Sequence, residues 1–201
     1  MGNSQPTLEN FEIVKCGPYR FVGGCVYVGN KGYYLGGKGA GQEDNLSECI
    51  WNHSDWVFAM LNDLKEYASD EIHSVSLAAW DRYDEKNQLF GYYIGRFMQP
   101  GTPVPPDLDY FDVTAEYIAK AWWKGKRGEG LGTFWGGGAG FVMDEVNRTG
   151  LYKDLGWVWE AQVFPEPDEN GETLVGAYVP CRPLTKKELK KKAKQAKENR
   201  K

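Results

Sequence analysis

Histidine is almost absent from this 201-residue chain: the only two are His53 and His73. Histidine is the commonest metal ligand and the usual base beside a catalytic serine or cysteine, so both chemistries start from a poor supply. The four cysteines, Cys16, Cys25, Cys49 and Cys181, show no Cys-x-x-Cys or other metal-ligating spacing. No metal and no cofactor is expected. There is no apolar run long enough to span a bilayer and no signal-peptide pattern, so the expectation is a soluble cytoplasmic protein with reduced thiols. The start, Met1 to Pro6, departs from a myristoylation site because Pro6 replaces the required Ser or Thr. Gly32 to Gly39 imitates a phosphate-binding loop, but Gly39 stands where Ser or Thr would hold magnesium.

What the chain has is aromatic side chains, 14% of residues with eight Trp, and a segregated charge. The net charge is −4, yet residues 186–201 hold nine basic and two acidic side chains. The remaining residues therefore hold 15 basic and 26 acidic ones, a body of −11. An acidic body repels nucleic acid and favours cations. The basic segment suits RNA or an anionic membrane surface, against the plainer reading of a solvated end.

Residues 1–10 read as a loose start, and residues 11–28, broken at Gly17-Pro18, as one or two strands. A Gly-rich loop covers 29–49. A helix over 51–67, capped by Asn52 or Ser54, places Trp56, Met60, Leu61 and Leu64 on one face. Strands at about 73–83 and 88–98 form a hairpin, and a Pro-rich linker covers 99–109. Composition suggests a helix at 112–123 while strict alternation suggests a strand, and the residues alone leave both open. A helix near 141–148, strands at 156–164 and 172–182 joined at Asn170-Gly171, and a Lys-rich helix opened by the capping box Thr185 to Glu188 complete the chain.

The order repeats with an offset of 84 residues: Trp51 matches Trp135, Trp80 matches Phe164, and Asp84-Glu85 match Asp168-Glu169. After one inserted residue, Gly91 to Ile94 matches Gly176 to Val179. The fold class is α+β: a duplicated β-α-β-β module whose antiparallel sheet carries two helices on one face, with a ligand groove at the pseudo-twofold axis. The expected groove lies on the side away from the helices. The domain spans 11–183, with halves at about 11–98 and 110–183, between the loose start and a basic helix or tail at 184–201.

Three stretches bear a family resemblance: Phe111 to Ala119 with Lys124-Gly125, Trp157-Val158-Trp159-Glu160, and Gly171-Glu172 running into Val175 to Pro180. On these the chain resembles the GyrI-like (gyrase-inhibitor-like) family, related to the effector-binding domains of AraC-type and multidrug-responsive regulators. The resemblance implies a strand at 112–123. It also implies a groove that binds lipophilic, often cationic, ligands through a key Glu. Some stand-alone members resemble hydrolases that open reactive cyclopropane rings. The chain departs from the pattern at Gln162, where an aromatic is common, and no helix-turn-helix segment is evident. No direct sequence-specific DNA binding is therefore expected.

Glu160 is the sharpest candidate. Alternation sorts its strand into Leu155, Trp157, Trp159, Ala161 and Val163, expected under the helices, and Val158, Glu160 and Gln162, expected to face the groove. A carboxylate there either pairs with a cation or acts as a base. Trp80, Tyr93, Tyr117, Trp122 and Tyr178 are candidate aromatic walls, with Tyr33 in a lid, each set against ordinary core packing. The reading preferred from sequence is a stand-alone binder of aromatic or cationic compounds. The alternative is a hydrolase in which Glu160 activates water and Tyr117 or Tyr178 donates a proton.

Overall fold

In a computed structural model of the chain, the residues described are 7–29, 52–69, 74–84, 89–126, 138–156, 159–164 and 167–198. Tyr33 and the Gly-rich imitation of a phosphate loop lie outside them. The strands are β1 (Thr7–Lys15), β2 (Tyr19–Gly29), β3 (Ser74–Asp84), β4 (Leu89–Met98), β5 (Asp109–Val113), β6 (Tyr117–Lys126), β7 (Tyr152–Asp154), β8 (Trp159–Phe164) and β9 (Glu172–Pro183). The helices are α1 (Ser54–Asn62), α2 (Gly138–Arg148) and α3 (Lys186–Glu198).

All nine strands join one antiparallel sheet in the order β1-β6-β9-β8-β3-β4-β2-β5, with β7 added beside β9. The order is a palindrome of the duplication. Exchanging β1 with β5, β2 with β6, β3 with β8 and β4 with β9 reads it backwards. At its centre Leu77 of β3 pairs with Ala161 of β8, two residues separated by the same 84 positions as the sequence repeat. The pseudo-twofold axis therefore passes through that pair. A symmetric row crosses the centre: Tyr93 beside Leu77, Ala161 beside Tyr178.

Strand exchange stitches the halves together. β1 precedes the first helix in sequence but pairs with β6 of the second half, and β5 crosses back to pair with β2. Each crossing uses three residues, Cys16-Gly17-Pro18 and Thr114-Ala115-Glu116. The four Cα steps of such a link span at most about 14 Å. The strands they join stand six places apart, about 29 Å on a flat sheet. The sheet must therefore curl until its two ends approach. The crossings meet: the Cys16 N–H donates to the Glu116 carbonyl at 2.8 Å, and the Cys16 thiol to the Ala115 carbonyl at 3.3 Å.

The curl separates the core into layers. Enclosed by it are Phe21, Leu77, Tyr93, Phe97, Phe111, Trp159, Ala161, Val163 and Tyr178, closed off by Cys16, Val113 and Ala115 of the crossings. The outer face carries two helix-backed clusters. Val57 and Leu61 of α1 pack on Val22, Tyr92, Ile94 and Met98. Val142, Met143 and Val146 of α2 pack on Ala119, Ala121, Val175, Ala177 and Val179.

Several sequence expectations change. The resemblance was right to make 112–123 extended, as the end of β5 and most of β6. β1 starts at Thr7, inside the expected loose start, because β6 supplies it a partner. The first helix is shorter than 51–67: it ends at Asn62, and a 3-10 turn takes Lys65–Tyr67. Its buried side chains are Val57 and Leu61, while Trp56 is 49% exposed. The N-cap is His53, with no side-chain capping bond, rather than Asn52 or Ser54. The Asn170-Gly171 turn is present, with Gly171 at φ 73° and Asp168 Oδ1 accepting from the N–H groups of Asn170 and Glu172.

The capping box is also formed. Glu188 Oε2 accepts from the Thr185 N–H at 2.8 Å, and the Glu188 N–H donates back to Thr185 Oγ1 at 3.3 Å. Arg182 grips the same carboxylate with two bonds of 2.9 and 2.8 Å. Arg182, then Thr185, hold the Glu188 carboxyl well below its ordinary value of 4.5. A depressed carboxyl contributes stability that is complete above the ordinary value and is lost only as pH falls through the lower, folded one. A proton titration followed by NMR should therefore find Glu188 still ionised at pH 4.5. An ordinary midpoint would mean the latch is open in solution.

Gly23 and Gly95 face each other across β2 and β4, and a Cβ on Gly23 would stand 1.9 Å from the Ile94 carbonyl oxygen. Gly140 in α2 has nothing within 4 Å of its would-be Cβ. Gly23→Ala should lower the urea midpoint steeply or prevent folding. Gly140→Ala should hold or raise stability, by up to about 1 kcal/mol.

Candidate functional site

α1 rests on β4 and β2, and α2 chiefly on β9 and β7. Both helices thus sit over the outer strands of their own halves, and the central pair β3–β8 runs between them. Register fixes which residues of this central pair share a face. Ser76 lies opposite Gln162 and Ala78 opposite Glu160, one pair on each side of the axis. The next strands fix the face: Ser76 and Ala78 pair onward to Ile94 and Tyr92, and Gln162 to Ala177, all three in the helix-backed clusters. Positions 160 and 162 therefore belong to the helix-bearing face, because successive strand residues alternate. Gln162 is 7% exposed. The side chains of Glu160 and Trp80 lie outside what is described.

This placement corrects the expected layering. Trp159, Ala161 and Val163 were expected under the helices, but they pack inside the curl in a cluster that contains no helical residue among those described. Positions 160 and 162 instead share a face with the helices. The reason is the strand exchange, which needs an enclosed inner face and fills it with the apolar side chains Trp159, Ala161 and Val163 of β8.

The aromatic candidates divide between the faces. Tyr93, Tyr178 and Trp122 lie on the inner side. Tyr93 is fully buried, its ring 6.1 Å from Phe21 and 6.5 Å from Phe111, and its hydroxyl donates to Asp109 Oδ2 at 3.3 Å. Tyr178 stacks on Phe97 at 6.3 Å and meets Trp122 edge-on at 5.7 Å. Lys120 Nζ lies 5.0 Å from the Tyr178 ring centroid, a cation–π contact. Trp122 is half-buried, and its indole covers Gly176, whose would-be Cβ would stand 2.9 Å from the ring. Tyr117 is on the opposite face, edge-on to Tyr152 at 5.6 Å and packed with the α2 cluster. Tyr117 and Tyr178 are thus separated by the sheet.

A feature missed in the sequence is a cavity of about 330 Å³ on the far flank of α1, towards β5, lined by Gly24, Cys25, Val26, His53, Trp56, Val57 and Asp107. The exposed Trp56 falls on its wall. No sequence pattern links Asp107 to His53; the strand exchange brings them together. Burial pushes the Cys181 thiol, beneath α2, up to about 12, leaving it a neutral core side chain rather than a nucleophile. Among the described residues no group of His, Cys, Asp or Glu is arranged to hold a metal, and no helix is long and apolar enough to cross a membrane.

No family model matches this sequence, and no curated protein matches it. Solved structures do share its fold. SAV2435 bound to tetraphenylphosphonium is 8% identical, covering 86% of this chain and 94% of that one, with a TM-score of 0.52. A putative bacterial transcription regulation protein from Staphylococcus aureus MU50 is 11% identical, covering 86% and 98%, with a TM-score of 0.51. At these identities the likeness concerns architecture, and it is consistent with the GyrI-like fold that the motifs suggested.

If the inner aromatics are core, removing one should cost core-sized energies. Tyr93→Ala should destabilise by about 3–5 kcal/mol, and Tyr93→Phe, which removes the hydroxyl that bonds Asp109, by about 1 kcal/mol. Equilibrium urea unfolding measures both, and a near-neutral Tyr93→Ala would show that the ring lines open space.

Proposed function

We propose that the protein binds a lipophilic aromatic cation in the groove between α1 and α2, with Glu160 supplying the negative charge and Gln162 a polar contact on the floor. The observation that supports this most is the register: the carboxylate-bearing position sits one residue from the pseudo-twofold axis, on the face shared by both helices. Its cross-strand neighbours there, Ser76 and Ala78, are small. Small floor residues leave volume for a ligand, and a carboxylate removed from bulk water attracts a poorly hydrated cation strongly. The acidic body adds a long-range preference for positive ligands. A protein of the same fold binds tetraphenylphosphonium, which is an argument from fold alone.

In this reading the inner layer of Tyr93, Tyr178 and Phe97 acts from beneath, packing against the central strands and holding them in register. Hydrolysis of strained rings is the weaker reading. It would need Tyr117 or Tyr178 as proton donor beside Glu160; Tyr178 lies on the inner face, and Tyr117, on the helix-bearing face, is packed edge-on against Tyr152.

Calorimetric titration with tetraphenylphosphonium tests the proposal. Saturable binding should weaken tenfold or more in Glu160→Gln, about 1.4 kcal/mol, while the far-ultraviolet circular dichroism stays unchanged. A folded Glu160→Gln that binds as well as the parent would overturn it. Mass spectrometry of an electrophilic cyclopropane compound incubated with the protein separates the two readings: water-added product dependent on Glu160 would make it an enzyme.

A further inference from the structure

The helix α3 has no role in the groove, yet it is the most strongly charged element of the molecule. Its sequence, Lys186 to Glu198, contains seven lysines, and no side chain along it is buried. At 3.6 residues per turn, Lys186, Lys187, Lys190, Lys191, Lys194 and Lys197 fall within an arc of about 140°, and only Lys192 points elsewhere. The stripe runs about 16 Å along the axis. Lys194 forms a long ion pair of 3.8 Å with Glu198, both well exposed, which water and salt weaken.

The stripe is also held in place. Arg182, at the end of β9, clamps Glu188 through two bonds, Thr185 closes the capping box on the same carboxylate, and the Leu184 N–H donates to the Leu151 carbonyl at 2.8 Å. These contacts fix the first turn of the helix to the sheet and to the segment after α2. A merely solubilising tail needs no such anchor. The opposite side of the helix offers only Leu189, Ala193 and Ala196 as apolar groups, too little to enter a bilayer interface. The body carries −11 and the segment from residue 186 carries +7, so a polyanion is drawn to the helix and repelled elsewhere.

We propose that α3 is a docking surface for the phosphate backbone of double-stranded nucleic acid, bound without regard to sequence. Lysine suits this task as a point charge that needs no fixed geometry at the phosphate, and helical spacing lets several lysines follow one strand.

The test is fluorescence anisotropy of a labelled 20-base-pair DNA duplex of arbitrary sequence, titrated with the full chain. Binding should appear at low salt and weaken steeply as salt rises, with a log–log slope of about −3.6 to −5.4 for four to six neutralised phosphates. A second duplex of scrambled sequence should bind within twofold. The variant K187E/K190E/K194E/K197E changes only exposed side chains and should lose binding at least tenfold, with its tetraphenylphosphonium titration unaltered. Lys192→Ala, off the stripe, should stay within twofold of the parent. Absence of binding at low salt overturns the proposal. So does an equal loss in Lys192→Ala, or binding to vesicles containing phosphatidylserine without binding to the duplex.

Discussion

Two links of three residues each determine the shape of this protein. Each must carry the chain between strands six places apart in the sheet, and a link of that length cannot cross a flat sheet of that width. Curling follows, and with it an enclosed inner face that has to be filled. The fill is aromatic: Phe21, Tyr93, Phe97, Trp159 and Tyr178 pack edge-to-face and stacked inside the curve. Such contacts contribute beyond simple area burial. The hydrogen bond from Cys16 to Glu116 ties one link to the other, so the curl is closed off where the two halves exchange strands.

With the inner face filled by packing, the proposed binding site lies on the outer face. The two helices stand there over the outer strands, and the central pair is left as a floor. Duplication then does the rest. The axis passes between Leu77 and Ala161, so each residue at the centre of β3 has a counterpart in β8: Glu160 stands where β3 has Ser76, and Gln162 where it has Ala78. The proposed site at this axis would gain two similar walls from one duplicated module, with the Glu160 carboxylate supplying its polarity.

Much of this was legible in the sequence. The 84-residue offset was visible in Trp51 and Trp135 and in the paired turns, and it reappears as the separation of Leu77 from Ala161. The Asn-Gly turn and the Thr185 capping box carry local signals that need no tertiary context. What the sequence concealed were effects of pairing at a distance. Nothing in residues 7–15 says that β6 will be their partner. The face of β8 was assigned by taking its apolar set to lie under the helices, whereas a curled sheet buries that set on the side that has none. Tyr117 and Tyr178 looked equivalent as aromatic walls because alternation reveals parity within a strand but not between strands. Only the pairing of Tyr117 with Cys181, and of Lys120 with Tyr178, separates them.

The account stands most directly on where a bound cation sits. A crystal structure of the protein with tetraphenylphosphonium would locate it. The account predicts the phosphonium between α1 and α2, over the β3–β8 floor and within about 6 Å of the Glu160 carboxylate, the range at which a charge still acts strongly in a partly dry site. Density among Tyr93, Phe97 and Tyr178 inside the curl, or in the cavity beside Trp56 and Asp107, would contradict it.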